Sequence, residues 1–188
     1  MQRRTVRVTE HSEAPPEVVY GLLADGTTWP AWSPIETFAL ERAGDPPPEG
    51  PGAIRVFVKG RTTGRDQLLE LEPGRRLKYA SLSGLPVRDY VGEVVLERSA
   101  SGGTNIDWHS TFVPTTPPGT GPLAARGIRR FLAQCAHGLA VYAASQPAPR
   151  NGVGAGPFDP APTMPSSSGE ISSSRPRRAP AGTSGTNR

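Results

Sequence analysis

The sequence predicts an α+β domain: a curved antiparallel sheet of about six to seven strands wrapped around one long C-terminal helix, with two short helices after the first strand. Three observations predict it. Strand-like segments recur with Gly- and Pro-rich turns between them, at the roughly 8–12-residue spacing of an antiparallel meander. One long amphipathic stretch, Pro122 to Ser145, comes last. A short helix and a loop bearing two tryptophans, Thr28 to Pro34, separate the first strand from the others.

Each element has a local cause. Thr5 to Glu10 alternates apolar and polar residues, as a half-buried strand does, and the strand runs on to Ser12. Pro16 opens a helix to Ala24, where a missing N–H costs nothing, and Ser12 or a neighbour is placed to cap it. Val18, Val19, Leu22 and Leu23 form its apolar stripe, and Asp25-Gly26 ends it. Trp29 to Pro34 holds too much proline for more than a turn or one helical turn presenting two indoles. Glu36 to Arg42 is a strand and Ala43 to Gly52 a Pro/Gly loop. Ala53 to Lys59 and Arg65 to Glu72 form a hairpin around Gly60 to Gly64. After the Pro73-Gly74 turn come strands Arg76 to Ser83, Asp89 to Arg98 and Thr104 to Val113. In the last helix Ile128, Phe131, Leu132, Cys135, Leu139 and Tyr142 make one apolar stripe, with Arg126, Arg129, Arg130 and His137 toward the other side. Such a helix is expected across the concave face of the sheet.

Composition sets the boundaries. From Gln146 onward the chain is almost all Pro, Gly, Ser, Ala and Thr, too little apolar surface to offset the entropy of ordering. Residues 1–145 are therefore expected as one domain and residues 146–188 as a disordered tail. The chain has 21 basic and 17 acidic residues; the tail takes five and two, leaving 16 and 15 in the domain. That balance implies no folded basic face, so no specific nucleic acid is expected. The Arg175 to Arg178 cluster reads as a solubilising end. A single cysteine permits no internal disulfide, the N-terminus has no apolar run, and no stretch reaches a membrane span. A cytoplasmic setting is the expectation.

Strand parity names the inward residues. Glu93 and Glu97 face water, so Tyr90, Gly92, Val94 and Leu96 face in. Asn105, Asp107 and His109 face out, so Ile106, Trp108, Ser110 and Phe112 face in. Lys78 faces out, so Leu77, Tyr79, Ser81 and Ser83 face in. Tyr79, Ser81, Tyr90 and Ser110 are thus polar groups on an apolar face, and a buried hydroxyl needs a partner.

Other motifs reduce to structure. Gly119-Thr120-Gly121-Pro122-Leu123-Ala124 fits a dinucleotide fingerprint formally, but no strand follows its helix and Pro122 removes a donor. His11, His109 and His137 have no metal-ligand spacing, so neither metal nor cofactor is expected. Cys135, on the apolar stripe, reads as a small hydrophobe. Trp29 and Trp32 either gate a cavity or plug the short-helix turn against the sheet. Arg88 and Asp89 at a strand end read as a solvated pair.

The chain resembles the START-like, helix-grip superfamily, in its SRPBCC, polyketide cyclase/dehydrase and lipid-transport branch. The residues that carry this are Pro15 to Tyr20, Trp29 to Pro34, Pro73 to Tyr79, Gly84 to Tyr90, Thr104 to Trp108 and Pro117 to Gly121, in that order. The resemblance covers residues 4–145. It implies a deep apolar cavity between the last helix and the sheet. It carries over no catalytic residue, because the superfamily shares none.

Three readings follow. The first is a module that binds an apolar small molecule, lipid or polyketide-like, as monomer or homodimer, through Trp32, Tyr79, Ser81, Tyr90, Trp108, Ser110, Phe112, Ile128, Phe131 and Cys135. The second is a polyketide cyclase, aromatase or dehydratase using acid–base groups in the same cavity, with catalytic residues unknown. The third is an interaction protein with a collapsed cavity, well under roughly 300 Å³.

Overall fold

The computed structural model describes residues 2–115 and 121–147. The expected tail, apart from its first two residues, lies outside the described residues, as do Pro117 to Thr120.

Seven strands form one antiparallel sheet: β1 (Arg4–Ser12), β2 (Thr37–Arg42), β3 (Ile54–Lys59), β4 (Thr62–Glu72), β5 (Arg76–Ser83), β6 (Val87–Arg98) and β7 (Thr104–Pro114). Their order is β1-β7-β6-β5-β4-β3-β2. Helix α1 (Pro16–Ala24), a 3₁₀ turn (Gly26–Thr28) and a single helical turn, α2 (Trp29–Trp32), lie between β1 and β2, and α3 (Gly121–Ser145) closes the domain. This is the helix-grip architecture. Only the β7–β1 pairing is remote in sequence; the other strands pair with their immediate neighbours.

Two local expectations are corrected. The β3–β4 turn is tighter than expected: Lys59 pairs with Thr62 around Gly60-Arg61, so Thr62 to Gly64 are already strand. Ser12 does not cap α1. Pro15 occupies the cap position without a side-chain bond, while the Ser12 hydroxyl donates to the Ala140 carbonyl at 2.8 Å and ties β1 to α3.

Packing divides α3 into two halves. Its main contacts run to β1 and β7, with α1 and α2 beside it. The C-terminal half carries Leu132, Cys135, Ala136, Leu139, Ala140 and Ala143, all buried, and its alanines permit close approach to these elements. The core continues through Leu23, Leu68, Leu77, Val94, Ile106, Trp108 and Phe112. The N-terminal half of α3 faces the β3 to β6 end of the sheet, and there the layers stand apart.

A buried ion pair locks α1 in place. Arg55 on β3, 1% exposed, donates to Glu49 at 2.6 Å, to the Leu23 carbonyl at 3.0 Å and to the Ala24 carbonyl. It thereby caps the C-terminus of α1 from the sheet, supplying acceptors left open there with donors. Glu49 in turn accepts from the Gly26 amide at 3.0 Å.

Candidate functional site

Between the N-terminal half of α3 and strands β3 to β6 lies a cavity of about 670 Å³. Trp29 and Ile35 close one end; Phe57, Gly64, Asp66, Tyr79, Ser81 and Tyr90 rise from the sheet; Ala124, Gly127, Ile128 and Phe131 form the roof. Lys59, Thr62, Leu85, Pro86 and Leu123 stand at the rim. Leu85 and Leu123 are exposed. A second hollow of about 590 Å³ lies on the outer face of β1, β6 and β7 among charged side chains, including the Arg7–Asp107 ion pair. It is an open polar groove.

Register places the polar groups. Leu68, Tyr79, Gly92, Ser110 and Val6 form one continuous cross-strand row over five strands. Gly92 is essential to its shape. A Cβ there would lie 2.3 Å from Cζ of Tyr79, so only glycine lets the phenol lie flat on β6. The flat ring brings the Tyr79 oxygen to the Trp108 indole N–H, which donates to it at 3.2 Å, and to the Tyr90 oxygen at 3.4 Å. A second row joins Arg55, Asp66 and Ser81. Gly84, at φ +98°, carries the β5–β6 loop across Gly64: a Cβ on it would approach the Gly64 Cα to 2.6 Å. The rim loop can close down on β4 only without a side chain there.

The charges follow from this placement. Asp66 is half-buried and lines the cavity. Burial pushes its carboxyl up to about 6, against the opposing effects of the neighbouring Ser81 hydroxyl and the Arg55 charge. Burial likewise drives the Tyr79 phenol well above its ordinary value and Tyr90 up to about 12. At neutral pH the two phenols therefore keep their protons as donors, and Asp66 is largely a carboxylate. Cys135 is fully buried and its thiol is pushed up to about 12, which suppresses nucleophilic character.

Of the ten residues named from sequence, Tyr79, Ser81, Tyr90, Ile128 and Phe131 line the cavity. Trp32, Trp108, Ser110, Phe112 and Cys135 lie in the buried layer behind it. Trp32 packs on Trp29 at 4.7 Å between ring centroids and donates its indole N–H to Thr28. Trp29 stacks on Phe57 at 4.8 Å and meets Trp108 edge-on at 5.9 Å. The two indoles thus plug the helical turn against the sheet, with Trp29 also forming cavity wall. Phe112 stacks on Tyr90 at 6.3 Å. Among the described residues the Ser110 hydroxyl has no hydrogen-bond partner of good geometry.

Sequence reasoning did not single out Asp66, Phe57 or Lys59. A signal for Asp66 existed: Leu68 is buried, and period-two alternation puts Asp66 on its face. Bulges at Arg65/Asp66 and Leu68/Glu70 and the run Leu68-Leu69-Glu70-Leu71 obscure that alternation. Lys59 lies over the Phe131 ring at 5.1 Å, a contact across the cavity mouth that strand parity does not reveal. Among the described residues there is no cluster of metal-ligating side chains and no helix long and apolar enough to cross a membrane.

Known proteins share this architecture. The chain is similar in structure to the protein XoxI from Bacillus cereus, at 18% identity and TM-score 0.61, over 76% of this chain and 95% of that one. It is similar to Ara h 8.0201 at 15% identity and TM-score 0.62, over 77% and 100%. It is also similar to the Zhui aromatase/cyclase from Streptomyces sp. R1128, at 20% identity and TM-score 0.61, over 76% and 94%. At these identities the likeness establishes the fold. No curated protein matches the chain. The model of the family described as polyketide cyclase/dehydrase and lipid transport matches residues 3–144, from β1 almost to the end of α3. With the helix-grip sheet, the single closing helix and the apolar cavity all falling inside that match, the chain belongs to the polyketide cyclase/dehydrase and lipid transport family.

Proposed function

We propose that the domain binds an apolar small molecule, lipid or polyketide-like, in the cavity under the N-terminal half of α3. The observation that carries this is the cavity itself: about 670 Å³, walled mainly by aromatic and aliphatic side chains, with a few polar groups gathered on β4 to β6. That lies within the roughly 300–1,000 Å³ of ordinary ligand sites and has their lining. It is also well above the size at which an interaction protein with a collapsed cavity would be the better reading. Tyr79, Ser81, Tyr90, Ile128 and Phe131 are the residues proposed to touch the ligand, joined by Trp29, Phe57 and Asp66. Native mass spectrometry of the purified full-length chain tests the reading. A retained small molecule, displaced when Ile128→Trp fills the roof, is expected. Retention unchanged by that variant would place the ligand elsewhere.

A second reading, a cyclase or dehydratase, is favoured by one observation. Asp66 and the two phenols converge on the cavity with opposite tendencies at neutral pH, one ionised and two protonated. Such pairing suits proton abstraction next to a carbonyl, with the carboxylate as base and the phenols as donors to the oxygen. Deuterium uptake at the methyl group of 2-acetylnaphthalene in D₂O, followed by NMR, is the check. Enzyme-dependent uptake that disappears in Asp66→Asn supports turnover chemistry. Uptake at the uncatalysed rate leaves the domain a binder.

A further inference from the structure

We infer that Asp66 is the recognition point for a hydroxyl group on the ligand, so that the cavity prefers an apolar molecule with a phenolic or enolic O–H to the same molecule without it. This rests on the cavity-binding reading above. Among the described residues lining the cavity, Asp66 is the one carboxyl group.

The charged donors around that carboxyl are committed elsewhere. Arg55, opposite it on β3, gives its N–H groups to Glu49 and to the Leu23 and Ala24 carbonyls. Ser81, opposite it on β5, shares its hydroxyl between that carboxyl and the Ser83 carbonyl, which it meets at 3.2 Å. Lys59 at the rim lies over the Phe131 ring. Among the described residues no ion pair ends on Asp66, and Ser81 is the one side chain whose hydroxyl offers it a hydrogen bond. A carboxylate in an apolar cavity with one shared donor is still costly, and a ligand that supplies another recovers part of that cost on binding.

The neighbouring groups narrow the class of donor. The Trp108 indole can only donate, and it donates to the Tyr79 oxygen, so the Tyr79 proton is turned toward Tyr90 or the cavity. The polar end therefore offers one acceptor with phenolic donors beside it. A hydroxyl answers both, donating to Asp66 and accepting from a phenol. An ether or ketone satisfies the phenols and leaves the carboxylate alone. A carboxylic acid brings a second negative charge to Asp66, and an ammonium group meets Lys59 at the entrance.

The test is calorimetric titration of the full-length protein at pH 7 with 2-naphthol and 2-methoxynaphthalene, which differ in that one proton. Wild type is expected to bind 2-naphthol about tenfold more tightly or better, the scale of a hydrogen bond to a charged acceptor. Asp66→Leu is expected to reduce the preference to within about twofold, whatever its affinity for 2-methoxynaphthalene. If Asp66→Leu does not fold, Asp66→Asn, which keeps a neutral acceptor, is expected to lose most of the preference. Equal binding of both probes by wild type overturns the inference and leaves the cavity reading standing. A preference that survives in the folded variant also overturns it, by placing the acceptor elsewhere. Binding of neither probe overturns both readings.

Discussion

Replacing Asp66 by Asn is expected to stabilise the folded domain at neutral pH and to leave it nearly unchanged in acid. Folding carries the carboxyl from its ordinary value of 3.8 to about 6, because burial disfavours the charged form more than Ser81 and Arg55 favour it. The folded state thus holds the proton more tightly than the unfolded chain does. Below about pH 3 both states are protonated and the group contributes nothing. As pH rises from there through about 6 the unfolded chain ionises first, and stability falls. Above that the penalty is constant. A difference of about two pH units, at about 1.4 kcal/mol each, gives roughly 3 kcal/mol, an upper value because cavity water relaxes around the charge. Asn keeps the size and removes the charge. Urea unfolding of both proteins at pH 7.5 and pH 4 measures the effect. The variant should be more stable by about 2–3 kcal/mol at the higher pH and by under about 1 kcal/mol at the lower. A variant that is less stable at pH 7.5 would refute the reasoning, since it would mean that the carboxylate is well satisfied by donors in the folded state.

Other perturbations probe the frame of the site. Arg55→Ala removes the cap of α1 and leaves Glu49 buried without its partner; a loss of about 3–5 kcal/mol in urea unfolding is expected, and under 1 kcal/mol would show that the pair is dispensable. Gly92→Ala drives a methyl group into the Tyr79 ring, so a loss of about 1–3 kcal/mol together with weaker retention of the ligand is expected. Full stability and full binding would show that the phenol has room to move. Trp108→Ala, at a side chain 1% exposed, should cost about 3–5 kcal/mol; a stable variant with impaired binding would instead make the indole a ligand contact. Ending the chain after residue 147 is expected to leave the melting temperature within about a degree or two, and a fall of many degrees would tie the remaining residues to domain stability.

Periodicity made the frame legible in advance. Alternation in β6 and β7 is clean, because one face meets the core and the other meets water. The buried run Tyr90, Gly92, Val94 and Leu96, and the run Ile106, Trp108, Ser110 and Phe112, could therefore be read from Glu93, Glu97, Asn105 and Asp107 alone. The stripe on α3 was equally plain. Proline and glycine marked most turns, since they act through local backbone sterics that need no knowledge of the fold. The family followed from the order of these segments.

What lies behind the inner face was set by packing at a distance. Parity assigned Tyr79 and Trp108 to the same face but not their hydrogen bond, which needs Gly92 on the strand between them to leave space for the ring. The division of ten candidates into cavity wall and sealed core depends on α3 resting on β1 and β7 at one end and standing off at the other. Asp66 and Arg55 show the limit most clearly. A charged residue in a strand reads as solvent-facing, because isolated burial of charge is unfavourable. Only the assembled fold brings Glu49 and the end of α1 to Arg55, and a cavity rather than bulk water to Asp66. Local sequence sets which face a side chain takes; the free energy of burying it depends on partners from other elements, such as the Leu23 and Ala24 carbonyls that Arg55 reaches, which no local pattern encodes.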